Sequence, residues 1–386
     1  IGVWLRVGSM MKSRSENGLS HLLEHMVFKG TEKRSTRQIA EEMDAVGGQL
    51  NAFTGKDCTC FYAKVIDEDL ELAVDLLSDL TLHATLDEKE LNKERGVILE
   101  EISMDEDSPE DLVFDHLATA VFGDQPAGMP ILGPADQIAA YTRKDLAAYR
   151  ATHYHPENCV VALAGNYDVD KVKALAEKYF GTWAKSGSRS IVPKNVVLNG
   201  RHDCKTKDTE QLHLCMGFPG VSYGSDDLYP MSVMNNLLGG SMSSRLFQKI
   251  REEMGMAYSI YTTPNTYVGC GSFAIYAGVS QKNGEQVLTE IKNQLDLLLK
   301  DGVTEKEFRE AKNQLRGGYM LGLESPGGRM QSMGRGQLHL DNPHTPEETI
   351  RHIEAVTRED VMRIARQVLS VEPDIAAVGK DVKAFE

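Results

Sequence analysis

The sequence predicts an α+β fold built twice over. Three observations carry this reading. Strand-like alternation interleaves with helical patterns, a polar break lies near the midpoint, and the segments on either side of that break resemble each other. Apolar alternation of period two recurs at IGVWLRV, QLNAFT, TCFYAKVI, CVVALAGN, LHLCMGF and GSFAIYAGV, as half-buried strands require. Helical patterns lie between them, at residues 17–29, STRQIAEEMDAVG, DEDLELAVDLLSDLTLHA and DEKELNKERGVILEEISM. Ser, Asp or Asn stands at their starts and Gly at several of their ends, which supplies the capping groups.

The break is KSGSRSIVPKN, residues 185–195, rich in Ser and interrupted by Pro193. It divides the chain into an expected first domain at 1–185, a linker at 186–198 and a second domain at 199–386. Across it, VGGQLNAFTGKDCTCFYAKV is similar to MGMAYSIYTTPNTYVGCGSFAIYAGV, and LDEKELNKERGVILEE (86–101) to VTEKEFREAKNQLRGG (303–318). This is the pattern of a duplicated domain. The duplication separates packing from chemistry. Residues needed by the fold recur in both halves, whereas Glu94 and Glu101 have Ala311 and Gly318 as counterparts and the second half has no H-x-x-E-H.

Composition narrows the function. The 386 residues are 41% apolar, enough for two or three cores. With 57 acidic and 42 basic residues the net charge is −15, which argues against nucleic acid or an anionic membrane as partner and suits basic ligands. No apolar run reaches membrane-spanning length, and a cytoplasmic location is expected. The six cysteines form no C-x-x-C pair and read as reduced, packed thiols. The opening IGVWLRVGS looks like a strand already under way, with no initiator Met or leader. The chain is therefore expected to be clipped, which leaves room for a lost targeting segment.

The chemistry-bearing stretch is HLLEHMVFKG, residues 21–30. At about 100° per residue, His21, Glu24 and His25 share an arc of about 100° on one helix face. Two imidazoles at i and i+4 suit a zinc ion, with a carboxylate beside them to act as base. The motif alone leaves two readings open, a metal site or an ordinary packed histidine pair. A third ligand is available on LNKERGVILEEISM. There Leu91, Val97, Ile98 and Ile102 form an expected apolar stripe, and Glu101 and Glu94 fall within it while Glu100 turns to solvent. Carboxylates on a buried stripe need a cation or hydrogen bonds to offset desolvation.

Taken together, NGLSHLLEHMVFKGT, GGQLNAFTGKDCTCFYAKV, ERGVILEEISMDEDSPED, GMPILGP, HYHPENCVVALAGN and SMSSRLFQKIREEMGMAYSIYT resemble the pitrilysin/insulinase family of inverted-motif zinc peptidases. The resemblance is closest to the branch of mitochondrial processing peptidase and its bacterial relatives, and it spans nearly the whole chain. It implies two homologous α/β domains of mostly antiparallel sheet packed with helices, together forming half of a clamshell. It implies one zinc per chain on His21, His25 and Glu101, with Glu24 as base and Glu94 as a supporting acid. It further implies that Arg251 and Tyr258 contact the substrate when the domains close; without it they read as an amphipathic helix leading into a strand. The run QLNAFT, with Asn51, Ala52 and Phe53, is either a peptide-binding edge or a plain core strand. One departure is Gln125–Pro130, which lacks an Arg usual in the family.

The function expected is therefore zinc-dependent hydrolysis of short or unfolded peptides by a homodimer, a heterodimer being the other option. The rival is a non-catalytic subunit of the same fold, resembling the core proteins of a respiratory complex, or a peptide-binding partner that needs a catalytic mate. Closure further implies that the first half alone binds zinc yet hydrolyses poorly.

Overall fold

A computed structural model describes residues 1–11, 13–186, 200–340 and 342–386. All but one residue of the linker expected at 186–198 lies outside the described residues. The chain forms two compact units, and neither is a contiguous half. One comprises Ile1–Ser103, the described part of Pro130–Val192, and Gly322–Pro343; the other holds Met104–Met129, the described residues up to Leu321, and His344–Glu386. Relative to the division read from sequence, the first half lends Met104–Met129 to the second unit and the second half lends Gly322–Pro343 to the first.

The first unit is built on a four-stranded sheet of order β2-β3-β1-β4. The strands are β1 (Gly2–Leu5), β2 (Gln49–Thr54), β3 (Thr59–Lys64) and β4 (Cys159–Ala162), all antiparallel. Side chains of a strand alternate between faces. In β1, Val3 and Leu5 enter a core with Leu22, Leu23, Phe61 and Leu77, while Trp4 packs with Cys58, Cys60, Met330 and Leu338. Both faces are covered, so all four residues of β1 are buried. On the first face lie α1 (Leu19–Val27), α2 (Thr36–Ala45), α3 (Leu70–His83) and α4 (Glu88–Asp107).

The second face is covered by the helix Pro326–His339, which comes from the far end of the chain. Its fit needs close approach. A Cβ added to Gly334 would lie 2.1 Å from Trp4 Nε1, inside any tolerable contact. The same indole nitrogen meets Met330 Sδ at 3.3 Å. The helix is also held electrostatically, since Arg335 Nη2 lies 3.3 Å from the buried Asp57 in the β2–β3 turn.

The second unit carries a five-stranded sheet of order β5-β9-β6-β8-β7. Its strands are β5 (His202–Thr206), β6 (Gln211–Pro219), β7 (Ala257–Tyr267), β8 (Cys270–Ser280) and β9 (Asp374–Gly379), antiparallel except for the β5–β9 pair. The duplication is visible in the strand order, because the hairpin β2–β3 and its counterpart β7–β8 each lie at an edge of their sheet. α5 (Pro109–Phe122), from the first half, belongs to this unit, where Phe114 stacks on Tyr276 and Tyr261. It is the counterpart of Pro326–His339, so the repeat exchanges the same helix in both directions. No helix among the described residues is long and apolar enough to cross a membrane.

Candidate metal centre

α1 begins at a turn that only glycine fits. Gly18 has φ 87°, and a Cβ there would meet Ile138 Cδ1 at 2.5 Å and Leu132 O at 2.7 Å. From this start, Leu22, Leu23, Met26 and Val27 are buried in the core, and Ser20 Oγ is 2.7 Å from the buried Tyr149 hydroxyl. Anchoring that side leaves His21, Glu24 and His25 half-buried on the remaining face.

α4 supplies the facing residues, but its stripe differs from expectation. Leu91, Glu94 and Ile98 are buried, whereas Val97 is 46% exposed. The helix is turned so that Glu94 is buried within the contact, while Glu101 lies partly exposed toward its edge and Val97 outside it. Glu100 is exposed, as its phase requires.

The two helices bring the ligand-type atoms together. Glu101 Oε2 lies 3.7 Å from His21 Nε2 and 3.6 Å from His25 Nε2, and the three donor atoms fall within 4.8 Å of one another. These separations are too long for hydrogen bonds. They are close to the roughly 3.3–3.4 Å between ligand atoms held at about 2.0–2.1 Å on a tetrahedral zinc. Glu101 Oε2 is shut off from solvent and has no hydrogen-bond partner among the described residues, a costly state for an anionic oxygen unless a cation offsets it. The trio therefore fits a zinc ion.

Around this trio stand groups that hold it. His25 Nδ1 is 3.1 Å from Glu94 Oε2, and Lys29 Nζ is 2.7 Å from Glu94 Oε1. Glu94 is 6% exposed, so Lys29 supplies the charge that makes its burial tolerable. Glu24 accepts a hydrogen bond from Thr54 Oγ1 at the end of β2. Burial pushes the Glu24 carboxyl above its ordinary range, against the Thr54 hydrogen bond and the His25 ring and with the charge of Glu101. Sequence patterning missed Lys29 and Thr54. Lys29 was within reach, because it lies four residues beyond His25 in the turn that closes α1.

β2 is an edge strand paired to β3 alone. Asn51 is exposed and Ala52 and Phe53 are intermediate, with Asn51 Oδ1 accepting the Ala52 amide at 2.8 Å. QLNAFT thus lies at a sheet edge, with Leu50 and Ala52 packed against one core cluster and Phe53 against another. Arg251 and Tyr258 belong to the second unit. Arg251 sits on a π-helical turn, Phe247–Glu253, with its guanidinium 4.7 Å from the Phe247 ring centroid and 5.7 Å from that of Tyr258. Tyr258 is 74% exposed, beside the register shift at Ala257/Ser259 that opens β7.

A second cluster of ligand-type side chains, Asp57, Cys58 and His339, is fully buried. Here Arg335 already provides the positive charge, and the Cys58 thiol is driven strongly upward by burial and then by Asp57. It is an ion-paired latch for the helix Pro326–His339 rather than a metal centre.

Residues 1–135 match the family model described as insulinase (peptidase family M16), and residues 140–315 match that of the peptidase M16 inactive domain. An uncharacterized zinc protease of Bacillus subtilis is 42% identical over 378 residues, covering 98% of this chain and 92% of the relative. This chain belongs to the M16 (insulinase) peptidase family. An uncharacterized zinc protease of Mycobacterium tuberculosis is 40% identical over 98% of this chain and 87% of its own length. Two solved structures share the M16 fold at 21% identity. They are a protease from Helicobacter pylori (TM-score 0.91, covering 98% of this chain and 94% of that one) and a peptidase M16 inactive domain from Pseudomonas fluorescens (TM-score 0.91, 99% and 92%). Within this M16 chain the inactive-domain match falls mainly on the half without H-x-x-E-H, where Ala311 and Gly318 replace the two glutamates of α4.

Proposed function

We propose that this chain is a zinc-dependent endopeptidase of short or unfolded peptides, related in its work to the processing peptidases, with Glu24 as general base. The observation that supports it most is the convergence of His21, His25 and Glu101 within 4.8 Å, beside a half-buried glutamate on the same helix face. The relatives' names as zinc proteases agree with it.

One zinc per chain, held by His21, His25 and Glu101, supplies Lewis acidity to the attacking water and the scissile carbonyl. The protein's own residues do the rest. Glu94 takes the Nδ1 side of His25, which leaves Nε2 directed to the ligand position. One Glu24 oxygen is occupied by Thr54, so the other is available to take the proton of the attacking water and return it to the leaving amine.

The peptide is laid as a further strand on the open edge of β2, along Asn51, Ala52 and Phe53, where main-chain bonding gives affinity with little sequence demand. The Asn51 side chain guards the Ala52 amide, and an incoming strand takes over that donor. In this reading Arg251 holds substrate and Tyr258 hydrogen-bonds the developing oxyanion. The net charge of −15 draws in basic peptides.

The test is cleavage profiling of a peptide library by mass spectrometry, with Glu24→Gln as control. Cleavage by the parent and none by the control supports the reading. Zinc-loaded parent protein that cuts no peptide refutes it in favour of a non-catalytic subunit.

A further inference from the structure

The Thr54 side chain connects two parts of the site that the proposed reading treats separately, the strand that receives the peptide and the carboxylate that moves the proton. Thr54 closes β2 opposite Thr59 of β3. Its Oγ1 meets Glu24 and lies 3.4 Å from Thr59 Oγ1. A hydroxyl has one proton to give. The proton of the fully buried Thr59 goes to Val7 O at 2.9 Å. Thr59 thus has none left for Thr54, and Glu24 is the acceptor of the Thr54 proton. A β-branched side chain on a strand has few χ1 choices, so the donor is fixed by the backbone of the same strand that offers its edge.

We propose that Thr54 is the positioning residue of the base. It pins one oxygen of Glu24, leaves the other for the reactant's proton, and ties the carboxylate to the strand on which the peptide is laid. This rests on the peptidase reading above. Its effect belongs to turnover rather than to peptide affinity, because the hydroxyl faces Glu24 and the edge amides and carbonyls of β2 are untouched by its removal.

The experiment compares Thr54→Val, which keeps the β-branched shape without the donor, with Thr54→Ser, which keeps the donor. Thr54→Ala is a second donor-free variant should valine disturb the strand. The valine protein is expected to bind zinc as the parent does and to lose about 10–100-fold in kcat with KM little changed, and serine is expected to restore most of the loss. A second readout uses metal-free protein. The Glu24 carboxylate stretch, identified in infrared difference spectra against Glu24→Gln, shifts in the valine protein and not in the serine protein. Unchanged kcat in Thr54→Val, a loss that serine does not restore, or an unshifted carboxylate band overturns the proposal while leaving the peptidase reading in place. A zinc-loaded parent that cleaves nothing overturns the peptidase reading and the catalytic half of this proposal with it.

Discussion

Glu94 grips the Nδ1 side of His25, its Oε2 3.1 Å from that nitrogen. A carboxylate at that position fixes the tautomer and the ring plane, and so the direction of Nε2. Glu94→Gln is expected to weaken zinc binding by about 10–100-fold, measured by competition with a chelator. The neighbouring Glu100→Gln is expected to leave zinc binding unaltered, because Glu100 is exposed and turned about 100° away from Glu101 on α4. Equal losses in both variants would mean that helix charge, and not this contact, governs affinity.

Glu24→Gln should separate binding from turnover. Glu24 is not among the three converging ligand atoms, so zinc content is expected to persist. The rate is expected to fall by about 10²–10⁴-fold, the usual contribution of a general base. Elemental analysis and progress curves on one preparation check both. A variant that loses zinc would place Glu24 among the ligands instead.

Asp105 gives a pH-dependent stability with a definite sign. Burial, followed by the charges of Asp115, Asp111 and Glu106, pushes its carboxyl up to about 6 from an ordinary 3.8. The folded state then holds the proton more tightly than the unfolded one. This contribution favours folding below about pH 4 and is lost as pH rises through about 6. Asp105→Asn is therefore expected to raise stability at pH 8 by about 1 kcal/mol after allowance for solvent screening, a Tm shift of about 2–4 °C. The gain should vanish near pH 4. Melts at the two pH values decide it.

The first half alone should not form a working unit. Sequence reasoning expects residues 1–185 to bind zinc in isolation. The structure leads to a different expectation, because the sheet of the first unit is covered on one face by Pro326–His339. Without that helix Trp4, Cys60 and Ala162 lose their cover, and α5 loses the sheet against which it packs. The fragment is expected to aggregate or to melt without cooperativity. Appending residues 322–343 through a flexible tether, with α5 removed, should restore a cooperative melt and zinc binding. A cooperative, zinc-binding 1–185 fragment would refute this.

Much of the fold was legible because its elements carry local periodicity. α1 to α4, β2, β3 and β8 announce themselves by capping residues and alternation, and the repeat announces the pairing of the halves. β9 (DIAAVG) was missed because it is only six residues long and buried at every position, whereas β8, almost as fully buried, runs for eleven residues. β5 is short and polar, with too little pattern to detect. The metal trio and Glu24 were legible because helical phase fixes which side chains share a face. The exchange of α5 and Pro326–His339 was not, since an amphipathic helix carries no mark of which sheet it will cover. Thr54 was hidden for a related reason: its role depends on where a strand ends relative to a helix 30 residues earlier.

The exchanged helices also set an order of events during synthesis. The contact between Trp4 and Met330 spans 326 positions, nearly the whole chain. While the ribosome is still translating the second half, the first sheet has one face bare and α5 has no surface to rest on. Neither unit can finish before the other is largely made. Contacts this distant slow folding and prolong the exposure of apolar surface. The nascent chain is thus a natural client for chaperones until about its last fifty residues emerge; truncation near the C-terminus strips β9 from the second sheet, and only a cut that reaches back to Pro326–His339 bares the N-terminal sheet.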